Sequence, residues 1–247
     1  MPSRAVRGVV FLGSLATVLV VGCGGSPEEL YERGQASFKH DKLEPAIADL
    51  ESFVDKSCGP TGQHAHCRQA YLTLGHAYEK RTMLAKAWAA YDQALTFAPH
   101  AGDEAIQSDR DRMQASLTEA QQKETARAPV IIRYRDEVPE EYTPRSVMIS
   151  LDFQPVVTRD KGVTELRSPD YTRLYSGSIP AGEHVLVIEM AHDCAPSGGP
   201  HCARSRVHRA WPFTAPARTP STIDIRGFAE SGEGDGPPRP SIEITAR

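Results

Sequence analysis

The sequence is short of the features on which catalysis and nucleic-acid binding usually depend. It has no excess of basic residues: 28 Lys and Arg stand against 32 Asp and Glu, so no cationic face for a phosphate backbone is indicated. There is no G-x-S-x-G nucleophile turn, no H-E-x-x-H zinc pair, no phosphate loop and no dinucleotide fingerprint. Ser176-Gly177-Ser178 lies before a turn without any motif around it, and ordinary turn composition explains it. An enzyme is therefore not expected, and no cofactor is implied. The apolar run Gly8 to Val21 covers 14 residues, short of the roughly 20 that an ordinary membrane-spanning helix needs. What remains is a mildly acidic chain of 247 residues, enough for one or two domains with a packed core.

That apolar run has a basic flank, Arg4 and Arg7, and ends at Val20-Val21-Gly22-Cys23. A charged start and a short apolar stretch fit a secretory signal. The four residues at its end resemble the lipobox of bacterial lipoproteins. The resemblance implies cleavage before Cys23, acylation of that cysteine and a signal peptide over residues 1–22. Several acyl chains on one residue give a stable anchor, because each buried methylene contributes about 0.8 kcal/mol. Gly24 stands where an Asp would imply retention at the inner membrane, so the resemblance implies the outer membrane, and the protein is expected to face the periplasm. Removing Arg4 and Arg7 leaves 26 basic and 32 acidic residues, a formal charge of −6.

The most specific pattern is Tyr71-x2-Leu74-Gly75-x2-Tyr78, then Ala87-x3-Tyr91, Ala94 and Pro99. Tyr71, Leu74 and Tyr78 recur at three and four residues and share a helix face. Gly75 and Ala87 are small enough for two helices to approach closely, and Pro99 ends the second. The pattern resembles the tetratricopeptide (TPR) repeat, with Tyr where Trp and Phe are frequent. A weaker copy lies 41 residues upstream, with Gly34 aligned to Gly75, Ala46 to Ala87 and Leu50 to Tyr91. The first helix is expected to start near Pro27, with Glu28 and Glu29 favouring its N-terminus. Gly102 to Ala126 reads as a long polar helix with Ala105, Ile106, Met113, Leu117 and Ala120 on one stripe, suited to cap a helical array. Within it, Asp109 to Arg112 alternate in charge and read as a solvated face.

Two repeats and a cap are fewer than a helical array usually needs, so residues 27–126 are expected to lean on the second domain, a partner or another copy. The TPR resemblance implies a scaffold that binds polypeptides through the first helix of each repeat. Here that face is Tyr31, Gln35, Phe38, Leu72, His76 and Glu79. The order of anchor and helices is also similar to that of outer-membrane lipoproteins that help assemble β-barrels, although those carry more repeats and the likeness ends at residue 126.

Composition changes at Ala128-Pro129, and residues 129–247 show strand patterns. Val147, Ile149, Leu151 and Phe153 alternate with Ser146, Met148, Ser150 and Asp152. Further apolar runs are Val130–Ile132, His184–Met190, Val207–Phe213, Ile223–Ile225 and Ile242–Ile244, and most are too closely spaced for helical crossovers. An antiparallel β-sandwich follows, with Ser231 to Pro240 as a loop. Val147-x3-Leu151-Asp152-x2-Pro155-Val156 and Gly177-x2-Pro180-Ala181-Gly182-x-His184 resemble PEGA-type β-domains of bacterial envelopes, which implies a binding or spacer role. Pro180 to Gly182 should form a tight turn, with His184 bonded to its backbone.

Five cysteines are present. With Cys23 lipidated, Cys58, Cys67, Cys194 and Cys202 remain; three pairings are possible, and proximity favours Cys58 with Cys67 and Cys194 with Cys202. Histidines crowd both loops: His64 and His66 in one, His192 and His201 in the other. A metal-handling or redox role for the two loops is the competing reading, but neither has a standard zinc spacing, and export favours disulfides. Together these readings give an α+β chain: TPR-like hairpins, then a β-sandwich, anchored at the membrane and recruiting another envelope protein or peptide.

Overall fold

The chain turns helical at Pro27 for a local reason. Ser26 Oγ accepts a hydrogen bond from the Glu29 N–H, and the Glu29 carboxylate accepts one from the Ser26 N–H, closing a reciprocal cap. Pro27 sits where an N–H would have no helical partner. The computed structural model describes residues 25–59, 65–97, 102–160, 166–168, 170–194, 202, 204–230 and 239–247. The expected signal peptide, lipobox and Cys23, together with Pro99, His64 and His201, lie outside these residues.

Among the described residues five helices come first: α1 (Pro27–Lys39), α2 (Leu43–Ser57), α3 (Cys67–Lys80), α4 (Leu84–Leu95) and α5 (Asp103–Lys123). None is long and apolar enough to cross a membrane. The hairpins α1–α2 and α3–α4 turn in the same way, 41 positions apart. Asp41 and Thr82 both have φ of 56°. The Lys42 N–H bonds to Ser37 O and the Met83 N–H to Tyr78 O, each in the same place in its turn. The close approaches repeat too. A Cβ on Gly34 would lie 2.6 Å from the Leu50 side chain, and one on Gly75 would lie 2.6 Å from the Tyr91 ring. Leu50 and Tyr91 are fully buried, so neither can give way easily. Gly75→Ala is therefore expected to destabilise by about 1–3 kcal/mol through overpacking, despite alanine's better helix propensity. A denaturant midpoint at or above that of the parent chain would contradict this.

α5 buries Ile106, Met113 and Leu117, as its pattern predicts, but Ala105 and Ala120 of the same expected stripe are exposed. Their methyl groups are too small to reach α4 from the edge of the stripe.

Eight strands follow among the described residues: β1 (Arg127–Asp136), β2 (Tyr142–Leu151), β3 (Gln154–Arg159), β4 (Thr172–Pro180), β5 (Gly182–Cys194), β6 (Ser205–Ala215), β7 (Ser221–Glu230) and β8 (Arg239–Ala246). They form two four-stranded sheets, ordered β4-β1-β7-β8 and β3-β2-β5-β6. Alternate side chains from both sheets, among them Ile132, Tyr134, Ile149, Ile188, Met190 and Ile223, share one apolar cluster. The pairing is not wholly antiparallel: β1 and β7 run parallel, with Val130 opposite Ser221 through Asp136 opposite Gly227. Short spacing between consecutive strands excludes helical crossovers but says nothing of strands far apart in sequence. Here the second sheet itself supplies the crossover. At the β4–β5 corner Gly182 has φ of +114°, a conformation that suits glycine, and the chain passes from one sheet to the other.

The helices do not stand apart from the sheets. On β5, Leu186 and Ile188 face the other sheet, whereas Val185 joins the helical core, with Val187, Ala210 and Phe153 packed beside it. The helical half therefore leans on its own second half, through α4.

Candidate functional site

The six residues expected to form a binding face fall on α1 and α3. Gln35 Nε2 donates to Thr73 Oγ1 at 2.9 Å, which ties the two helices in the middle of that face. Towards one end, the Phe38 and His76 rings stack with centroids 6.5 Å apart, and Lys80 Nζ lies 5.3 Å above the Phe38 ring. At the other end Tyr31 stacks on His66 at 4.3 Å and tilts against Phe53 at 5.3 Å. Leu72 is half-buried against the helical core. Gln35, Phe38 and His76 are thus brought together, whereas Tyr31 stands at a separate pole with His66.

α5 extends the face. Both Nη atoms of Arg112 donate to the Glu79 carboxylate, and Tyr91 Oη donates to Glu79 at 2.9 Å. The Arg112 guanidinium, with Tyr91, holds the Glu79 carboxyl below the usual glutamate range against the opposing effect of burial. Asp109 Oδ2 lies 3.8 Å from His76 Nε2, and Asp109 Oδ1 accepts from Arg112 at 2.7 Å. Thr73, Lys80, Asp109 and Arg112 are the members of this face that sequence reasoning missed. The i, i+3 pair Asp109–Arg112 was the available signal, because it marks a helix edge that carries its own charges.

Arg110 corrects the reading of this run as a solvated face. Its Nη1 donates to Asp92 Oδ1 at 3.2 Å, and its guanidinium lies 6.0 Å from the Trp88 ring centroid. A helix of 3.6 residues per turn cannot put four consecutive residues on one side, and Arg110 is the one turned towards α4.

On the opposite side of the helical half lies the contact with β5 and β6. Trp88 packs on Phe153 at 4.9 Å. The Ala85 N–H points at Glu183 Oε2 at 3.4 Å, and Gln121 Nε2 donates to the Glu183 carbonyl at 3.0 Å. Beneath them His184 is fully buried, with Nδ1 at 2.6 Å from Asp152 Oδ2 and Nε2 at 2.8 Å from the Pro180 carbonyl. The expected bond from His184 to the turn backbone is the second of these.

Cys58 and Cys67 form one disulfide and Cys194 and Cys202 the other, with Cα separations of 5.5 and 5.7 Å. The first joins the end of α2 to the start of α3 and is buried. Replacing Cys58 and Cys67 together by serine is expected to lower stability by about 2–3 kcal/mol, the chain-entropy value for so short a loop. A thermal melt unchanged by the double substitution would contradict that figure. Among the described residues no group of three His, Cys, Asp or Glu side chains is placed to hold a metal ion.

No protein-family model matches the chain, and no curated protein is similar to it.

Proposed function

We propose that this chain is a membrane-anchored scaffold lipoprotein. Its two TPR-like hairpins and the α5 cap present a recognition face, and the two sheets, packed as a β-sandwich, brace them from behind. Tyr31, Gln35, Phe38, Leu72, His76 and Glu79, joined by Lys80 and Arg112, would meet a segment of another envelope protein. Acylated Cys23 would hold the assembly at the outer membrane on the periplasmic side.

The observation that carries this reading is where the β half docks. Its packing is chiefly against α4 and Gln121 of α5, through Trp88, Asp92 and Ala85, with Arg209 of β6 acting on Tyr71 at the edge of α3, and among the described residues no hydrogen bond from the sheets reaches Gln35, His76 or Glu79. A face that a chain closes over itself cannot recruit; a face held open on a rigid support can. The mixture of an aromatic ring, two cations and a paired carboxylate suits a partner segment with an apolar anchor beside charged residues.

The test joins the two halves of the proposal. Cys23→Ser is expected to move the protein from the membrane to the soluble fraction. Phe38→Ala with His76→Ala is expected to leave it at the membrane but to reduce recovery of its partner after mild detergent extraction by about tenfold or more. Membrane retention of Cys23→Ser would overturn the anchor. Undiminished recovery with the double variant would overturn the face.

A further inference from the structure

His208, on β6, stands where the two halves of the molecule meet. Its Nε2 lies 2.7 Å from Asp92 Oδ2 on α4, and its Nδ1 lies 3.7 Å from Glu189 Oε1 on the neighbouring strand β5. Both nitrogens therefore face a carboxylate. Each carboxylate is held from behind by a guanidinium: Arg110 of α5 donates to Asp92 at 3.2 Å, and Arg206 of β6 donates to Glu189. Arg110 also binds Asp111 on its own helix, while Asp109 and Arg112 pair with each other. Asp92 is only 7% exposed, so it has little water to replace a lost partner.

We propose that His208 is a pH-sensitive clasp that fastens the helical half to the β5–β6 face. Protonated, it donates from Nε2 to Asp92 and sets its positive charge 3.7 Å from the Glu189 carboxylate, joining α4 to β5. Neutral, it keeps one N–H. If that proton stays on Nε2, the Nδ1 lone pair is turned towards the Glu189 carboxylate, and the attraction there becomes repulsion. The charge complementarity that aligns α4 on the sheet is lost at the same time.

The direction of the pH dependence follows. The hydrogen bond to Asp92 raises the His208 imidazole above its ordinary value, and burial opposes this only in part. A raised histidine contributes its full stabilisation below the unfolded value of about 6.5, and that stabilisation is lost as pH rises through the folded-state value. The clasp is therefore closed in mildly acidic surroundings and released in alkaline ones. Apolar and amide contacts, among them Trp88 on Phe153, Val185 in the helical core and Gln121 on the Glu183 carbonyl, carry no titrating group, so release loosens the docking without unfolding either half. The clasp governs how the helical half is braced, whatever the α1–α3 face binds.

The molecule carries its own probe. Of its two tryptophans, Trp88 is 5% exposed, lies on α4 against Phe153, and becomes the sole indole after Trp211→Phe. Acrylamide quenching of that full-length variant in detergent is expected to rise about twofold or more between pH 6 and pH 9, as a single-proton step above the ordinary histidine value. With His208→Gln added, quenching should stay at the higher level throughout. Asp92→Asn, as a second variant, should move the step to lower pH. A constant that stays flat with His208 present would overturn the clasp. So would the same step in His208→Gln, or a step unmoved by Asp92→Asn.

Discussion

Replacing His184 by alanine is expected to destabilise the protein by about 3 kcal/mol, from lost ring packing and the lost polar bridge between Asp152 and the Pro180 carbonyl. The ring is completely buried and fills the space beneath the β4–β5 corner, with Phe213 at 5.4 Å. It spans two acceptors, the Asp152 carboxylate and the Pro180 carbonyl. Asp152 Oδ1 also accepts from the Val185 N–H at 3.1 Å, so the aspartate fixes the start of β5 as well as the histidine. Taking the histidine away removes the ring that bridges a carboxylate oxygen and a carbonyl in a site where water enters poorly. His184→Gln, which retains a donor but not the ring, should recover part of the loss. Because Gln121 reaches the same corner, the alanine variant should also weaken the seat of α5, seen as faster amide exchange near Gln121. A denaturant midpoint within error of the parent's would contradict this account.

The second large effect concerns acid. His192 is 1% exposed at the end of the shared sheet core, and both its ring nitrogens lack a hydrogen-bond partner among the described residues. Burial, with a smaller push from the Arg167 guanidinium, lowers its pKa to about 4. The unfolded chain takes up this proton below about pH 6.5, whereas the folded protein refuses it until about 4, so stability falls as pH drops through that window. A difference of about 2.5 pKa values corresponds to roughly 3 kcal/mol when the window has been crossed. Two neighbours modify the result in known directions. Asp136 is raised by burial, so near the bottom of the window it takes up a proton in the folded state first and offsets part of the loss. His208 loses its contribution only above 6.5 and leaves the acid limb untouched. His192→Phe should flatten the acid limb of a plot of unfolding free energy against pH; an unchanged slope would contradict the assignment.

Local signals read well from the sequence, and distant pairings did not. The α3–α4 hairpin was legible because Gly75, Ala87 and Tyr91 must answer one another within a single turn of chain, and Gly75 does meet the Tyr91 ring. The start of α1 was legible from Pro27 and the acidic first turn, and the two disulfides from loop proximity. The strands β3 and β4 escaped notice because Gln154–Arg159 and Thr172–Pro180 bury only Val157 and Ile179, too few apolar positions to show alternation. The parallel pairing of β1 with β7 joins residues about ninety positions apart, and no local pattern carries it. Asp92 and His208 are separated by 116 positions; in sequence the first is an ordinary helix aspartate and the second an ordinary strand histidine. On the candidate face, the resemblance to the TPR repeat named Gln35, Phe38, His76 and Glu79, but their charged neighbours on α5 depended on how a third helix packs.

The central claim is that the α1–α3 face recruits a partner while the sheets support the helices from behind. Photo-crosslinking in the cell tests it most directly, with the reactive group placed at Gln35 and His76 and, as a control, at the exposed Ala48 on α2. The account predicts one reproducible envelope-protein adduct from Gln35 and His76, absent from Ala48 and lost with Phe38→Ala. Equal adducts from all three positions, or none from the face while the protein remains at the membrane, would contradict it.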